Sequence, residues 1–288
     1  IYLLGNGLNE KKIFKSKNNI ANIKFDDING YQNFILSDFR NESDRFIAHA
    51  GGAIDGNIYT NSLEALNYSY EKGLRLFELD LQLSSDNKIV AVHSWKEWVK
   101  DTGYSGKIPP TEKDFLNYKI KGYLTPLNIN LINKWFGEKK EAILITDKIN
   151  DPKLIFQEFN FSNRLRMELF SKDAIIEAKK LNITAIPSYF VLQDMSNPIK
   201  FLKENDIKYV AASRAIISET NSNLKNLIKE IIGRNLLKKI YKSGIKIYAF
   251  NINYEKGKDE IYTMCNEFKY FYGLYADYWE IPNKKIKN

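Results

Sequence analysis

Only two histidines and one cysteine occur among these 288 residues. The lone thiol, Cys265, excludes an intrachain disulfide and any cysteine-built zinc site. Proline is scarce, and no low-complexity linker or internal repeat divides the chain. No run of about 18 apolar residues exists, so no segment reads as a membrane-spanning helix. Charge of one sign is not concentrated either. The 43 Lys+Arg against 35 Asp+Glu give +8, spread along the sequence without the basic block interleaved with aromatics that a nucleic-acid surface needs. Such a field helps to attract anionic small molecules, lipid head groups or a membrane surface. What is present in quantity is core: 44% hydrophobic and 14% aromatic residues, in a length that suits one α/β barrel. The chain starts at Ile1 and not at Met, which reads as upstream trimming and favours an exported or membrane-tethered protein over a cytoplasmic one.

Residues 1–44 are polar and rich in Asn and Lys, and read as a lead-in with one or two short helices. From Arg45 onward, short apolar runs alternate with helical patterns. Strands are predicted at 45–49, 74–80 with a continuation through 88–93, 142–147, 164–170, 182–187, 207–212, 245–252 and 272–277. Helices are predicted near 61–72, 127–137, 152–159, 172–181, 197–205, 222–242 and 256–269. Eight strand-like runs with helices between them predict a parallel sheet, most simply a closed (β/α)8 TIM barrel over 45–288, with an open doubly wound sheet as the alternative. Residues 94–126, with Trp95, Trp98, Gly103, Gly106, Pro109 and Pro110, break the alternation. They read as an insertion after the second strand, overhanging the end of the barrel where such folds place their sites.

Both histidines fall at predicted strand ends. His49 closes Phe46-Ile47-Ala48, and His93 closes Ile89-Val90-Ala91-Val92. Imidazole can give and take protons near neutral pH, so the pair suits acid/base work, although either could be a structural histidine. Glu78 and Asp80 have strand spacing and face one side. Two acids side by side need relief from a cation or a proton, and a hard divalent ion such as Mg²⁺ or Ca²⁺ prefers their oxygens; a Lys or Arg partner is the competing reading. Asp147 ends the run Ala142–Thr146 at the same predicted rim, with Lys148 behind it, and is either a third oxygen ligand or a helix cap.

In this order, Ile47-Ala48-His49-Ala50-Gly51-Gly52, Thr60-Asn61-Ser62-Leu63-Glu64-Ala65, Glu78-Leu79-Asp80, Asp86-Asn87, Val90 and His93 resemble the glycerophosphodiester phosphodiesterase family, within the phosphatidylinositol phospholipase C-like phosphodiesterase superfamily. That family shows a His-x-Gly start, a Glu-Asn-Thr helix entry, and Glu-x-Asp followed by a histidine at the Asp80-to-His93 interval. Weaker likenesses follow at Thr125-Pro126-Leu127, Thr146-Asp147-Lys148, Phe250-Asn251-Ile252-Asn253 and Ala276-Asp277-Tyr278.

The resemblance implies a (β/α)8 barrel and phosphodiester hydrolysis with one divalent cation. It makes His49 and His93 the general acid/base pair, Glu78, Asp80 and Asp147 the metal ligands, and Lys148 a phosphate contact. Three departures mark a divergent branch: Ala50 where the family has Arg, Ser94 where Asp commonly follows the second histidine, and Asp147 in place of Glu. Asn61 either lines the site, as in the family, or caps a helix through Asn61-x-x-Glu64. Arg214, after the sixth strand, is a candidate replacement for the phosphate cation lost at position 50. Glu168 is either a further ligand or substrate contact, or the partner of Arg166 in a buried ion pair. Trp95, Trp98 and Trp279 are either pocket walls or core. Two rival functions stand beside the leading one: a phospholipase of the phosphatidylinositol-specific or sphingomyelinase D type, and a catalytically idle barrel that binds a phosphorylated ligand.

Overall fold

The computed structural model describes residues 43–216, 235–250 and 271–278, together with Gly233 and the short segments 12–15 and 20–23. Cys265, Trp279, Asn251–Asn253, the predicted helix 256–269 and the first part of helix 222–242 lie outside the described residues. In the lead-in the described pieces are not helical: β1 (Lys12–Lys15) and β2 (Ile20–Ile23) pair antiparallel. Four residues each, with Ile at three of eight positions, suit an extended pair better than a helical turn.

Every predicted barrel strand is present: β3 (Phe46–Ala48), β4 (Leu76–Leu83), β6 (Ile143–Asp147), β7 (Leu165–Leu169), β8 (Thr184–Pro187), β9 (Tyr209–Ser213), β10 (Lys246–Phe250) and β11 (Gly273–Ala276). They run parallel in the order β8-β7-β6-β4-β3-β11-β10-β9. A parallel bridge between Ser188 and Ala211 links the two ends of that list and nearly closes the ring. The open-sheet alternative is thereby set aside. Strand alternation sorts the side chains. Phe77, Leu79 and Leu81 face outward into the main core with the helices, whereas Leu76, Glu78 and Asp80 face the barrel axis. The axis is filled lower down by Ile47, Leu76, Ile145, Ile186, Ala211 and Tyr248, so the barrel is solid beneath its site.

Helices α1 (Leu63–Glu71), α4 (Ile129–Glu138), α5 (Pro152–Glu158), α6 (Lys172–Lys180) and α8 (Pro198–Glu204) fall where their apolar periodicity predicts. Their N-caps, Ser62, Asn128, Asp151, Ser171 and Asn197, each accept a hydrogen bond from a first-turn amide. A short helix α7 (Tyr189–Gln193) directly after β8 is additional.

The second-strand region departs from the predicted continuation. β5 (Ile89–Ala91) does not extend β4 but turns back on it antiparallel, through a loop in which the Ser84 hydroxyl accepts from the Lys88 amide at 2.9 Å and Asn87 takes φ 58°. The insertion then forms α2 (Trp95–Thr102) and α3 (Glu112–Asn117) around a satellite core of Val90, Val92, Trp98, Phe115, Ile120 and Leu124. Trp98 stacks on Phe115 at 5.4 Å, so it and its neighbour Trp95 are core, not pocket wall. Residues 94–126 contribute nothing to the lining of the cavity described next, because their apolar side chains are spent on this separate core.

Candidate active site

The carboxyl ends of the strands surround a cavity of about 470 Å³. The loop after β3 begins it. His49 is followed by Ala50 in the left-handed region (φ 47°, ψ 38°) and by Gly51 and Gly52 at φ 85° and 92°. At Gly52 a Cβ would meet the Ser69 hydroxyl at 2.1 Å, and that hydroxyl donates to the Gly51 carbonyl at 2.7 Å; only glycine fits this approach. The resulting turn aims the Ala50 amide at Glu78, whose Oε2 it reaches at 2.7 Å.

Glu78, Asp80 and Asp147 converge because of register. Asp80 on β4 lies level with Asp147 on β6, and Glu78 is one inward position earlier. One oxygen from each lies within 4.8 Å of the others. Glu78 and Asp80 are buried, and Glu78 Oε1 has no hydrogen-bond partner among the described residues. Burial, with the Asp80 and Asp147 charges added, pushes the Glu78 carboxyl well above its ordinary range. A buried, unpartnered oxygen within an all-oxygen cluster of three carboxylates fits a hard divalent cation. Asp147, one methylene shorter than Glu, still reaches the group.

Lys148 sits at 3.3 Å from Asp80 and 3.2 Å from Asp147. Burial alone would lower its pKa, but the two carboxylates outweigh that and hold the ammonium charged. Asn61 is neither helix cap nor cavity wall. Ser62 is the cap, and Asn61, fully buried at φ 49°, clamps Asp80 by two bonds: Nδ2 donates to the carboxylate at 2.9 Å and Oδ1 accepts from the Asp80 amide at 2.9 Å. Arg214 is buried and does not line the cavity, so Lys148 is the only Lys or Arg among the described lining residues. Glu168 lines it, and its partner is the Tyr275 hydroxyl, which donates at 3.0 Å, rather than Arg166, which lies over the Tyr209 ring at 4.7 Å. Burial raises the Glu168 carboxyl well above its ordinary range.

The two histidines are held alike by carboxylates to which the sequence assigned no role. His49 Nδ1 lies 3.1 Å from Asp277 Oδ1, and His93 Nδ1 lies 2.5 Å from Glu97 Oε2. An ionised carboxylate only accepts, so each imidazole carries a proton on Nδ1 and has Nε2 outside that bond, and both rings line the cavity. Glu97 had a local signal: Ser94 caps α2, accepting from the Glu97 amide at 3.2 Å, and Ser94 Oγ donates to the same Oε2 at 2.9 Å. Ser94 thus supports the histidine's partner where the family pattern has an acid. Asp277 stands only in the weak likeness Ala276-Asp277-Tyr278, and its separation of 228 positions from His49 hides the pairing. Between the imidazoles stands Tyr59, also unanticipated, with its ring 4.7 Å from His49 and 4.8 Å from His93. Burial and the surrounding acids raise its phenol strongly, so it is a neutral spacer.

The rest of the wall is different. Phe170 follows β7, Ser188 and Phe190 follow β8, Phe250 ends β10, and Tyr275 lies on β11.

Comparison with known proteins agrees with this fold. Residues 52–105 match the model of the glycerophosphoryl diester phosphodiesterase family. Among solved structures, the fold is similar to a glycerophosphoryl diester phosphodiesterase from Parabacteroides distasonis (TM-score 0.58, 16% identity, 84% of this chain and 88% of that one). It is similar also to an Oleispira antarctica phosphodiesterase in complex with the product sn-glycerol-3-phosphate (TM-score 0.58, 17% identity, 81% and 93%). A glycerophosphodiester phosphodiesterase from Thermotoga maritima gives TM-score 0.55 at 18% identity over 81% and 93%. The chain spans about a third of the length of a curated relative it matches, the CCA-adding enzyme of Nanoarchaeum equitans, at 24% identity over 158 residues, 54% of this chain and 36% of that protein. Residues 52–105 thus carry a match to the phosphodiesterase family's model, and the barrel around the acids and histidines has the fold of these solved structures.

Proposed function

We propose that the chain hydrolyses a glycerophosphodiester-like substrate with one divalent cation, Mg²⁺ or Ca²⁺, and that His49 and His93 are its acid/base pair. The observation that carries this reading is the matched tethering of the two imidazoles, each with Nδ1 on a carboxylate and each lining one cavity that also holds three clustered acids. Glu78, Asp80 and Asp147 would hold the cation, which supplies charge neutralisation for the phosphoryl oxygens when bound. Lys148 adds a fixed positive charge beside the same oxygens.

One Nε2 takes the proton of the attacking hydroxyl, from water or from a neighbouring hydroxyl of the substrate alcohol. The other histidine, entering the step as the imidazolium, gives its Nε2 proton to the leaving alkoxide as the P–O bond breaks and is left neutral with its remaining proton on Nδ1. Asp277 and Glu97 stabilise whichever imidazolium forms and fix its tautomer. With internal attack a cyclic phosphate results, and the same two groups open it with exchanged roles. The glycerol half of the substrate is supported by the product bound to the Oleispira antarctica relative.

Hydrolysis of sn-glycero-3-phosphocholine tests the reading. A chelator should abolish turnover, and His49→Ala should lower kcat by about 10²- to 10⁴-fold, the usual worth of a positioned acid or base. Turnover that survives both overturns the mechanism. Binding of the diester without turnover in the wild type makes the idle barrel the better description.

A further inference from the structure

Tyr59 lines the cavity and has no part in the scheme of acid and base. Its ring lies 4.7 Å from that of His49, nearly perpendicular at 80°, and 4.8 Å from that of His93, tilted by 31°. A phosphoryl group within reach of both imidazoles therefore lies beside Tyr59, whichever histidine acts first.

The hydroxyl has the properties of a donor kept for a ligand. Around it stand Asp277, Asp80, Glu78 and Glu97, and all four act on the phenol by charge rather than through a hydrogen bond. Their oxygens are engaged elsewhere: Asp277 with His49, Glu97 with His93, Asp80 with Asn61 and Lys148, and Glu78 Oε2 with the Ala50 amide. Burial, with these negative charges added, holds the phenol in its neutral form and so keeps its proton. Positive charge is scarce on the same wall, since Lys148 is the only Lys or Arg among the described lining residues. A ring needed only to separate two imidazoles could be phenylalanine.

The backbone points the same way. Tyr59 takes φ 59°, a left-handed conformation that a bulky side chain adopts at a cost. Such strain persists where the surroundings over-determine it. Here Asn61, two residues on, is fastened to Asp80 by two bonds, and its amide donates to the Ala50 carbonyl at 3.0 Å. The loop thus carries the Tyr59 ring to the imidazoles on a fixed base.

We infer that Tyr59 is a further catalytic residue, whose hydroxyl donates a hydrogen bond to a non-bridging phosphoryl oxygen held between the two imidazoles. The phenol keeps its proton throughout. What changes is the strength of the bond, which grows as negative charge gathers on that oxygen in the transition state. This rests on the phosphodiesterase reading and adds a group to its machinery.

Tyr59→Phe keeps the ring and removes only the donor. With sn-glycero-3-phosphocholine it should lower kcat by about 10²-fold, the scale of losing one oxyanion donor, with a much smaller change in KM and an unchanged Tm. The chain has only two histidines, so their imidazole nitrogen NMR signals report directly on both rings. In Tyr59→Phe both should stay protonated on Nδ1. Wild-type kcat in Tyr59→Phe overturns the inference, and a loss seen only in Tyr59→Leu then makes the ring a spacer; the phosphodiesterase reading survives both results. A loss in Tyr59→Phe that comes with a changed histidine tautomer is a loss of positioning and also overturns it. Should the wild type not turn over the diester, that reading fails, and calorimetric titration with sn-glycerol-3-phosphate still decides the contact. The monoester carries the extra negative charge that favours the donor, so binding weakened by about 10-fold in Tyr59→Phe supports the inference, and equal binding overturns it.

Discussion

On the β3–β4–β6 side of the cavity nearly every functional group is tied to another polar group, and on the β7–β8–β10 side only Glu168, bonded to the Tyr275 hydroxyl, is so tied among the described lining residues. Asp80 is clamped by Asn61 and bridged by Lys148, Ala50 is fastened to Glu78, and each histidine leans on its own carboxylate. Across the cavity stand exposed phenyl rings and an unpartnered hydroxyl. The first arc fixes atoms to within a hydrogen bond, as bond-making chemistry requires. The second, Glu168 apart, offers area without direction, which tolerates change. A change on the first arc should therefore reduce turnover of every diester, and a change on the second should cost less.

The largest effect is expected where the polar arc itself is incomplete. Glu78 Oε1 is the orphan of that side, and a divalent cation would satisfy it. Saturating Mg²⁺ or Ca²⁺ should stabilise the wild type, by about 2.7 kcal/mol at a hundred times Kd, read as a rise in Tm. Glu78→Gln keeps the shape and removes the charge. It should abolish both that rise and the turnover, while the cation-free variant melts no lower than the wild type because a buried charge has been removed. A wild type whose Tm ignores divalent cations would show that the three acids are relieved by protons and Lys148 alone.

Glu97→Gln should act less strongly, lowering kcat by roughly 10- to 100-fold with KM little changed, since His93 keeps its place and loses the carboxylate that stabilises its charged form. Ser94→Ala, which removes the helix cap but not the 2.5 Å contact to His93, should cost less activity than Glu97→Gln. A reversal of that order would make Glu97 a helix-capping residue only.

How much of this was legible in the sequence follows the same division. Period-two spacing was enough to place Glu78 and Asp80 on one face, and strand ends were enough to place His49, His93 and Asp147 at one rim, because those signals are local. The barrel was legible for the same reason: each of its eight strands is a short apolar run bounded by polar turns. Asn61 was visible but ambiguous, since a capping pattern and a ligand clamp share the residue type, and its neighbour Ser62 took the cap. Glu97 was findable from Ser94-x-x-Glu97 and from its helical spacing to His93, whereas Asp277 meets His49 only through the closure of β11 onto β3. At Arg214 a strand-end cation that lines a cavity and one that is buried beside it look the same in sequence, and here the residue is buried and outside the lining. The aromatic arc was silent altogether: a phenylalanine after a strand looks the same in a core and at a rim, and only exposure separates them.

The smallest effects should carry the contrast down to single hydrogen bonds, with opposite signs on the two arcs. Asn61→Ala strips Asp80 of two buried bonds and should cost about 1–3 kcal/mol, read from the denaturant midpoint. Part of that is backbone, because Asn61 sits at φ 49°, where Ala is strained by roughly 1 kcal/mol; Asn61→Gly separates the two contributions. Ser188→Ala removes a hydroxyl that is buried and bonded to nothing among the described residues, so the folded state loses a desolvated polar group and no contact. Its stability should hold or rise by up to about 1 kcal/mol. A polar atom kept at a cost to stability, facing the cavity, is what a substrate contact leaves behind in the free protein. If Ser188→Ala destabilises the protein as much as Asn61→Ala does, the hydroxyl is a structural bond, and the two sides of the cavity are held in the same way after all.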